Sequence, residues 1–178
     1  NSLEPEKQQI RFLGLILDPH LTFKHHITPL LKKISQGLFN LRRVRYILPE
    51  RAKKALYFSL INSHIYYALP AYGSANMSHL KPIIIKQKQA IRLITNSQYN
   101  SHTEPQFKQL SILKFEDLLN FSRIDFFHSL FHHLLPTSFS SVWTMKDTLN
   151  LRNMLDYNIP FARLDFSERL PLHTFPRV

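Results

Sequence analysis

Residues 10–17 (IRFLGLIL) limit most strongly what this chain can fold into. They form a short apolar run closed by Asp18-Pro19, which reads as a strand followed by a turn. A helix satisfies its own backbone, but a strand needs a neighbour for its N–H and C=O groups, and one strand alone is not stable. Partner strands upstream of residue 1, or a poorer substitute, are therefore expected. Gly14 marks a point of close packing. Asn1 in place of Met, the polar opening NSLEPEKQQ and the abrupt ending LPLHTFPRV read as truncation at both ends.

Downstream, the apolar spacing changes to a helical one. After Thr22, the expected N-cap, Ile27, Leu30, Leu31, Ile34, Leu38, Leu41 and Leu48 recur every three or four residues, which predicts a helix to about Tyr46. Pro49 breaks it. A second helix is predicted over residues 50 to about 65, burying Ala55, Leu56, Phe58, Leu60 and Ile61. Residues 66–74 (YYALPAYGS) read as an aromatic loop. A third helix over residues 78–95 sets Leu80, Ile83, Ile84, Gln87, Ile91 and Ile94 on one side, with Pro82 near its start. A polar linker follows, then a short helix opened by Pro105 and a fourth long helix over residues 115–135. Glu116 and Asp117 suit the positive end of that last dipole, and Pro136 ends it. Beyond Thr137 the periodicity is lost. The expected fold is mainly α: a short N-terminal strand or hairpin remnant, a three-helix bundle, a fourth long helix and an irregular tail.

Charge narrows the partner. There are 23 Lys and Arg against 12 Asp and Glu, a formal charge of +11, and such an excess points to a polyanion, nucleic acid first. The absence of Cys removes disulfides, thiolate metal sites and Cys nucleophiles, and suits a reducing, intracellular setting. No apolar stretch approaches the roughly 18 residues that a membrane helix needs. Lys32, Gln36 and Arg43 share one stripe of the first helix, opposite Ile34 and Leu41. Lys81, Lys88 and Arg92 form a second stripe on the third helix, and Arg51, Lys53 and Lys54 open the second helix. Few carboxylates alternate with these cations as they would on an ordinary solvated face, which favours phosphate contact. Tyr46, Tyr57, Tyr66, Tyr67, Tyr72 and Tyr99 stand near the charges and either stack on bases or, more commonly for such rings, pack in the core.

No catalytic constellation emerges. His128 and His132 are four apart on one helix, but no Glu lies between them as in a HExxH site and no third ligand is evident, so no metal is assigned. There is no GxSxG turn and no phosphate-cradling Gly loop among only three glycines.

An ordered series of segments resembles a known family. IRFLGLILDPHLTFKHHI, LKKIS, LFNLRRVRYILP, LYFSLINSHIYYALPAYG and QKQAIRLITNSQYNSHTEPQFKQLSILKFEDL, with LRN at Arg152 and IPFAR at Arg163, are similar to the region after the palm in reverse transcriptases of non-LTR, jockey-like retrotransposons. The similarity runs over about residues 8–178. It implies that Phe12, Leu13 and Gly14 belong to a primer-grip hairpin and that the helices form a thumb holding a template and primer duplex, RNA/DNA or DNA. It implies the boundaries 1–21 for the end of the palm, 22–97 for the helical thumb, 98–136 for a linker and C-terminal helices, and 137–178 for the tail. Lys32, Arg43, Lys53, Lys54, Lys81, Lys88 and Arg92 are then the candidate nucleic-acid contacts. The family's aspartates, in a Tyr/Ala-x-Asp-Asp box, bind Mg2+ in the palm; this chain has no Asp-Asp pair, so it is expected to hold no cofactor and not to catalyse alone. Tyr72 stands where relatives carry Trp before Gly-Ser. The other partner implied is the palm itself, in the cytoplasm or nucleus and without membrane. The competing reading is a stand-alone basic helical module, derived from a mobile element, that binds nucleic acid or an acidic protein.

Overall fold

In the computed structural model, which describes residues 9–132 and residue 134, the apolar run of residues 10–17 folds back on itself. Strands β1 (Ile10–Phe12) and β2 (Leu15–Leu17) pair antiparallel, with Ile10 opposite Leu17 and Phe12 opposite Leu15. The expected strand or hairpin remnant is thus a hairpin, and the strand's partner comes from inside the run. The reversal is made at Leu13 (φ 45°) and Gly14 (φ 84°), two successive left-handed residues of the kind that match the twist of a tight hairpin. Leu13 is strained there, and its carbonyl accepts a hydrogen bond from the Tyr67 hydroxyl. A Cβ on Gly14 would meet the Tyr67 ring at an ordinary 3.6 Å, so backbone conformation rather than crowding demands glycine.

Asp18 ties the hairpin to the first helix. Its carboxylate accepts from the N–H groups of His20 (3.2 Å), Thr22 (3.0 Å) and Phe23 (3.0 Å) and from the Thr22 hydroxyl (3.0 Å). Burial alone would raise this carboxyl's pKa, but the donors from Thr22, Phe23 and His20 outweigh it and hold the group below the usual range. Thr22 is therefore not the N-cap: its hydroxyl accepts only a long 3.4 Å bond from Lys24, and the cap position is held by Phe23 in the left-handed region.

Helix α1 (Lys24–Arg43) buries Ile27, Leu30, Ile34, Leu38 and Leu41, as the spacing requires. The predicted second helix is one helical run of three parts: α2 (Glu50–Tyr57), a π turn (Phe58–Asn62) and α3 (Ser63–Tyr66). The π turn widens the helix locally and keeps residues four apart in line. Lys53, Tyr57, Ile61 and Ile65 face the core, whereas Ala55 and Phe58 are exposed and Leu56 and Leu60 half-buried. Gly37 of α1 meets this turn directly, for a Cβ there would lie 2.7 Å from the Leu60 carbonyl oxygen and 2.8 Å from Ile61 Cγ1.

The aromatic loop contains a short helix, α4 (Leu69–Tyr72), entered through left-handed Ala68. Tyr72 is fully buried; its hydroxyl donates to the Ile65 carbonyl, its ring lies 5.4 Å from that of His26, and burial pushes its pKa up. Helix α5 (Met77–Ile94) starts on Asn76, whose Oδ1 accepts from the Ser78 N–H at 3.0 Å, and packs against α1 and α2. Gln87 sits in this core as a connector, donating from Nε2 to the Tyr57 hydroxyl and the Leu113 carbonyl, both at 3.0 Å. Burial raises the Tyr57 hydroxyl to about 12, with the Gln87 bond opposing it.

Helix α6 (Glu104–Leu110) buries Phe107 and Leu110, and α7 (Phe115–Phe131) follows. The first compact unit ends at Leu118, and the described residues beyond it belong to a second. In that second unit the rings of His128 and His132 lie 4.2 Å apart. The described helix stops short of the predicted residue 135, and the expected Pro136 stop and irregular tail over residues 137–178 lie outside the described residues. The molecule is mainly α with an N-terminal hairpin.

Candidate nucleic-acid interface

The sequence-predicted cations do not all reach the surface. On α1, Lys32, Gln36 and Arg43 are exposed, opposite the buried Ile34 and Leu41. On α5, Lys81 and Lys88 are exposed and Arg92 is half-buried, with Nε donating to the Ser101 carbonyl at 3.0 Å. On α2, Arg51 is exposed and Lys54 half-buried. Lys53 differs from all of these: it is 1% exposed, and its ammonium donates to the Arg45 carbonyl (3.2 Å) and to Asn96 Oδ1 (3.0 Å). Burial lowers its pKa and the charge of Arg45 adds to this, while Glu50 opposes. The reason is helical phase, since Lys53 lies one turn before Tyr57 on the face that enters the core.

Few of these charges are neutralised nearby. Among the described residues one Lys or Arg forms a salt bridge, Lys114 with Glu104. Lys88 lines a cavity with Glu104, Lys114 and Glu116, so its surroundings are mixed in charge. Lys32, Arg43 and Lys81 are exposed and, among the described residues, have no carboxylate within ion-pair distance.

The structure also gathers charges that the stripe reading missed. Arg42 and Arg45 converge with Arg92, whereas Arg43, next in sequence to Arg42, turns away and stands over the Phe39 ring at 5.9 Å. Beside the hairpin, a cavity of about 370 Å³ is lined by Arg11, Gly14, His26, Lys33, His64 and Tyr67. Of the three hairpin residues singled out, only Gly14 lines it; Phe12 and Leu13 are 59% and 73% exposed. Lys33 follows Lys32 by 100° of helix, and Arg45 lies past the last helical residue, where periodicity has no reach. The doublet and triplet LKKIS and RRVR were the available signal, but spacing does not say which member turns inward.

His26 is the buried titratable group of the hairpin cavity. It is 7% exposed and its Nδ1 has no hydrogen-bond partner among the described residues. Burial, and secondarily the charge of Lys33, lowers its pKa, so folding disfavours its protonated form. The unfolded chain therefore binds the extra proton below about pH 6.5, and stability from this group is present above that pH and lost as pH falls. Urea unfolding should show a smaller loss between pH 7.5 and pH 5 for His26→Leu than for the unaltered chain. Parallel pH profiles would contradict the assignment.

No described helix is long and apolar enough to cross a membrane. Among the described residues no three His, Asp or Glu side chains gather as a metal site would need.

No family model and no solved structure matches the chain. Curated relatives do. The RNA-directed DNA polymerase from mobile element jockey of Drosophila melanogaster is 31% identical over 119 residues, 63% of this chain and 13% of that protein. Its Drosophila funebris counterpart is 30% identical over 124 residues, 65% of this chain and 13% of that protein. A probable RNA-directed DNA polymerase from transposon BS of Drosophila melanogaster is 29% identical over 97 residues, 53% of this chain and 11% of that protein. The matched stretch is thus a small part of each relative, and it agrees with the family read from the ordered segments: this chain is a sequence relative of the RNA-directed DNA polymerases of jockey-type non-LTR mobile elements.

Proposed function

We propose that this chain is the thumb-like part of a retrotransposon RNA-directed DNA polymerase and that it grips the template and primer duplex through phosphate contacts. The observation that carries the reading is the exposed cations of α1 and α5: Lys32, Arg43 and Lys81 are exposed with no carboxylate partner among the described residues. Such cations neutralise phosphates and release counterions without reading sequence, which a polymerase copying any template requires. The hairpin, pinned to the segment after α3 through Tyr67 and Leu13, supplies the primer-grip element on this reading. The sequence contains no Asp-Asp pair, so the Mg2+ chemistry is assigned to the palm of the whole polymerase.

Fluorescence anisotropy with a labelled RNA/DNA hybrid tests this. Lys32→Glu, Arg43→Glu and Lys81→Glu combined should weaken binding at least about tenfold at roughly 100 mM salt, because three cations that neutralise phosphates become anions that repel them. Unchanged affinity in the folded triple variant would remove these residues from the interface.

A further inference from the structure

We propose that a second nucleic-acid site, distinct from the duplex grip, lies where the C-terminal end of α1 meets α5 and the turn after it, and that it takes one unstacked nucleotide of a single strand. The cavity there measures about 270 Å³. That is just below the roughly 300 Å³ at which small-molecule pockets begin, and it suits one base with its sugar phosphate.

Its lining combines the two chemistries that a nucleotide presents. Arg42, Arg45 and Arg92 contribute guanidinium groups, and among the described residues no carboxylate lines the cavity to neutralise them. Two of the three are fixed: Arg45 donates from Nη2 to the Ser97 carbonyl and Arg92 from Nε to the Ser101 carbonyl, each at 3.0 Å. The segment that accepts these bonds is itself braced, with Gln106 Nε2 donating to the Ser97 and Ser101 hydroxyls at 2.9 and 3.2 Å. Arg45 is left incomplete, because its Nε is buried and has no partner among the described residues. A guanidinium is a fork built to meet two oxygens of one phosphate, and Arg42, Arg45 and Arg92 together bring three such forks to one cavity, where their remaining N–H groups suit a phosphoryl oxygen.

The rim supplies the other half. Tyr46 and Tyr99 line the same cavity and are 81% and 77% exposed, far beyond what a core aromatic shows. Arg45 stands over the Tyr46 ring, 5.1 Å from its centroid, and so couples the stacking surface to the phosphate donor. Open aromatic faces accept any base, provided that the base has left its stack. A duplex hides its base faces, and therefore this site selects single strands.

The test compares an eight-nucleotide thymidine strand, an abasic strand of equal length and the RNA/DNA hybrid, each labelled and titrated with the chain. The thymidine strand should bind about tenfold more tightly than the abasic strand, because stacking is lost with the base. Tyr46→Ala with Tyr99→Ala should erase that advantage and leave hybrid affinity within about twofold. Arg45→Gln should weaken both single strands. Both tyrosines are exposed, so their removal leaves the core intact. Equal binding of thymidine and abasic strands, or an advantage that survives loss of both tyrosines, would overturn the proposal. Either result is separable from the duplex reading, which the charge reversals on Lys32, Arg43 and Lys81 test.

Discussion

Gly37→Leu should destabilise the chain by more than about 3 kcal/mol in urea unfolding, and Gly37→Ala by roughly 1–3 kcal/mol, against the ordinary trend in which alanine strengthens a helix. Glycine at this position lets α1 lie directly on the π turn: a Cβ would stand 2.7 Å from the Leu60 carbonyl oxygen and 2.8 Å from Ile61 Cγ1. The first obstacle is backbone, which cannot rotate aside as a flexible side chain can. The helices would have to separate, and the buried Ile34, Leu38 and Leu41 on α1 would be pulled from their neighbours with them. A Gly37→Ala chain as stable as the unaltered one would show that α1 and the π turn do not touch.

Lys53→Glu carries the other large effect, a loss of more than about 4 kcal/mol. The ammonium at this position is 1% exposed and donates to two oxygens, those of Arg45 and Asn96. A carboxylate in its place would bring acceptors against acceptors, without water to separate them. Lys53→Met, which keeps the stem and removes the charge, should cost only about 1–3 kcal/mol and leave affinity for the RNA/DNA hybrid and its salt dependence unchanged. If Lys53→Glu behaved as a surface reversal does, within about 0.5 kcal/mol, Lys53 would have to lie on the outer face after all.

Lys53 also shows where the sequence stops being legible. The helices α1 and α5 could be read from their apolar spacing, and their buried residues follow it. The run over residues 50–66 could be read as helical, but not which of its residues turn inward, because a π turn shifts the phase by a fraction of a turn and no residue type announces it. The face that buries Tyr57 and Ile61 carries Lys53 inward and leaves Phe58 outside. The hairpin was legible only in part: an apolar run bounded by Asp-Pro gives an extended segment, while the reversal rests on one left-handed leucine beside Gly14 and on a hydrogen bond from Tyr67, 54 residues later. Long-range contacts of this kind leave no local pattern. The cations followed a similar division. Charge and helical stripe identified the exposed Lys32, Arg43 and Lys81, but the convergence of Arg42, Arg45 and Arg92 depends on how α1 and α5 cross.

Salt dependence tests the phosphate grip most directly. Binding of an RNA/DNA hybrid should weaken as salt rises from roughly 50 to 200 mM, with log K falling linearly against log salt at a slope of about −3 or steeper. The triple variant at Lys32, Arg43 and Lys81 should give a shallower slope, by about 0.9 for each phosphate that is no longer neutralised. An affinity that stays flat over this range would contradict the account.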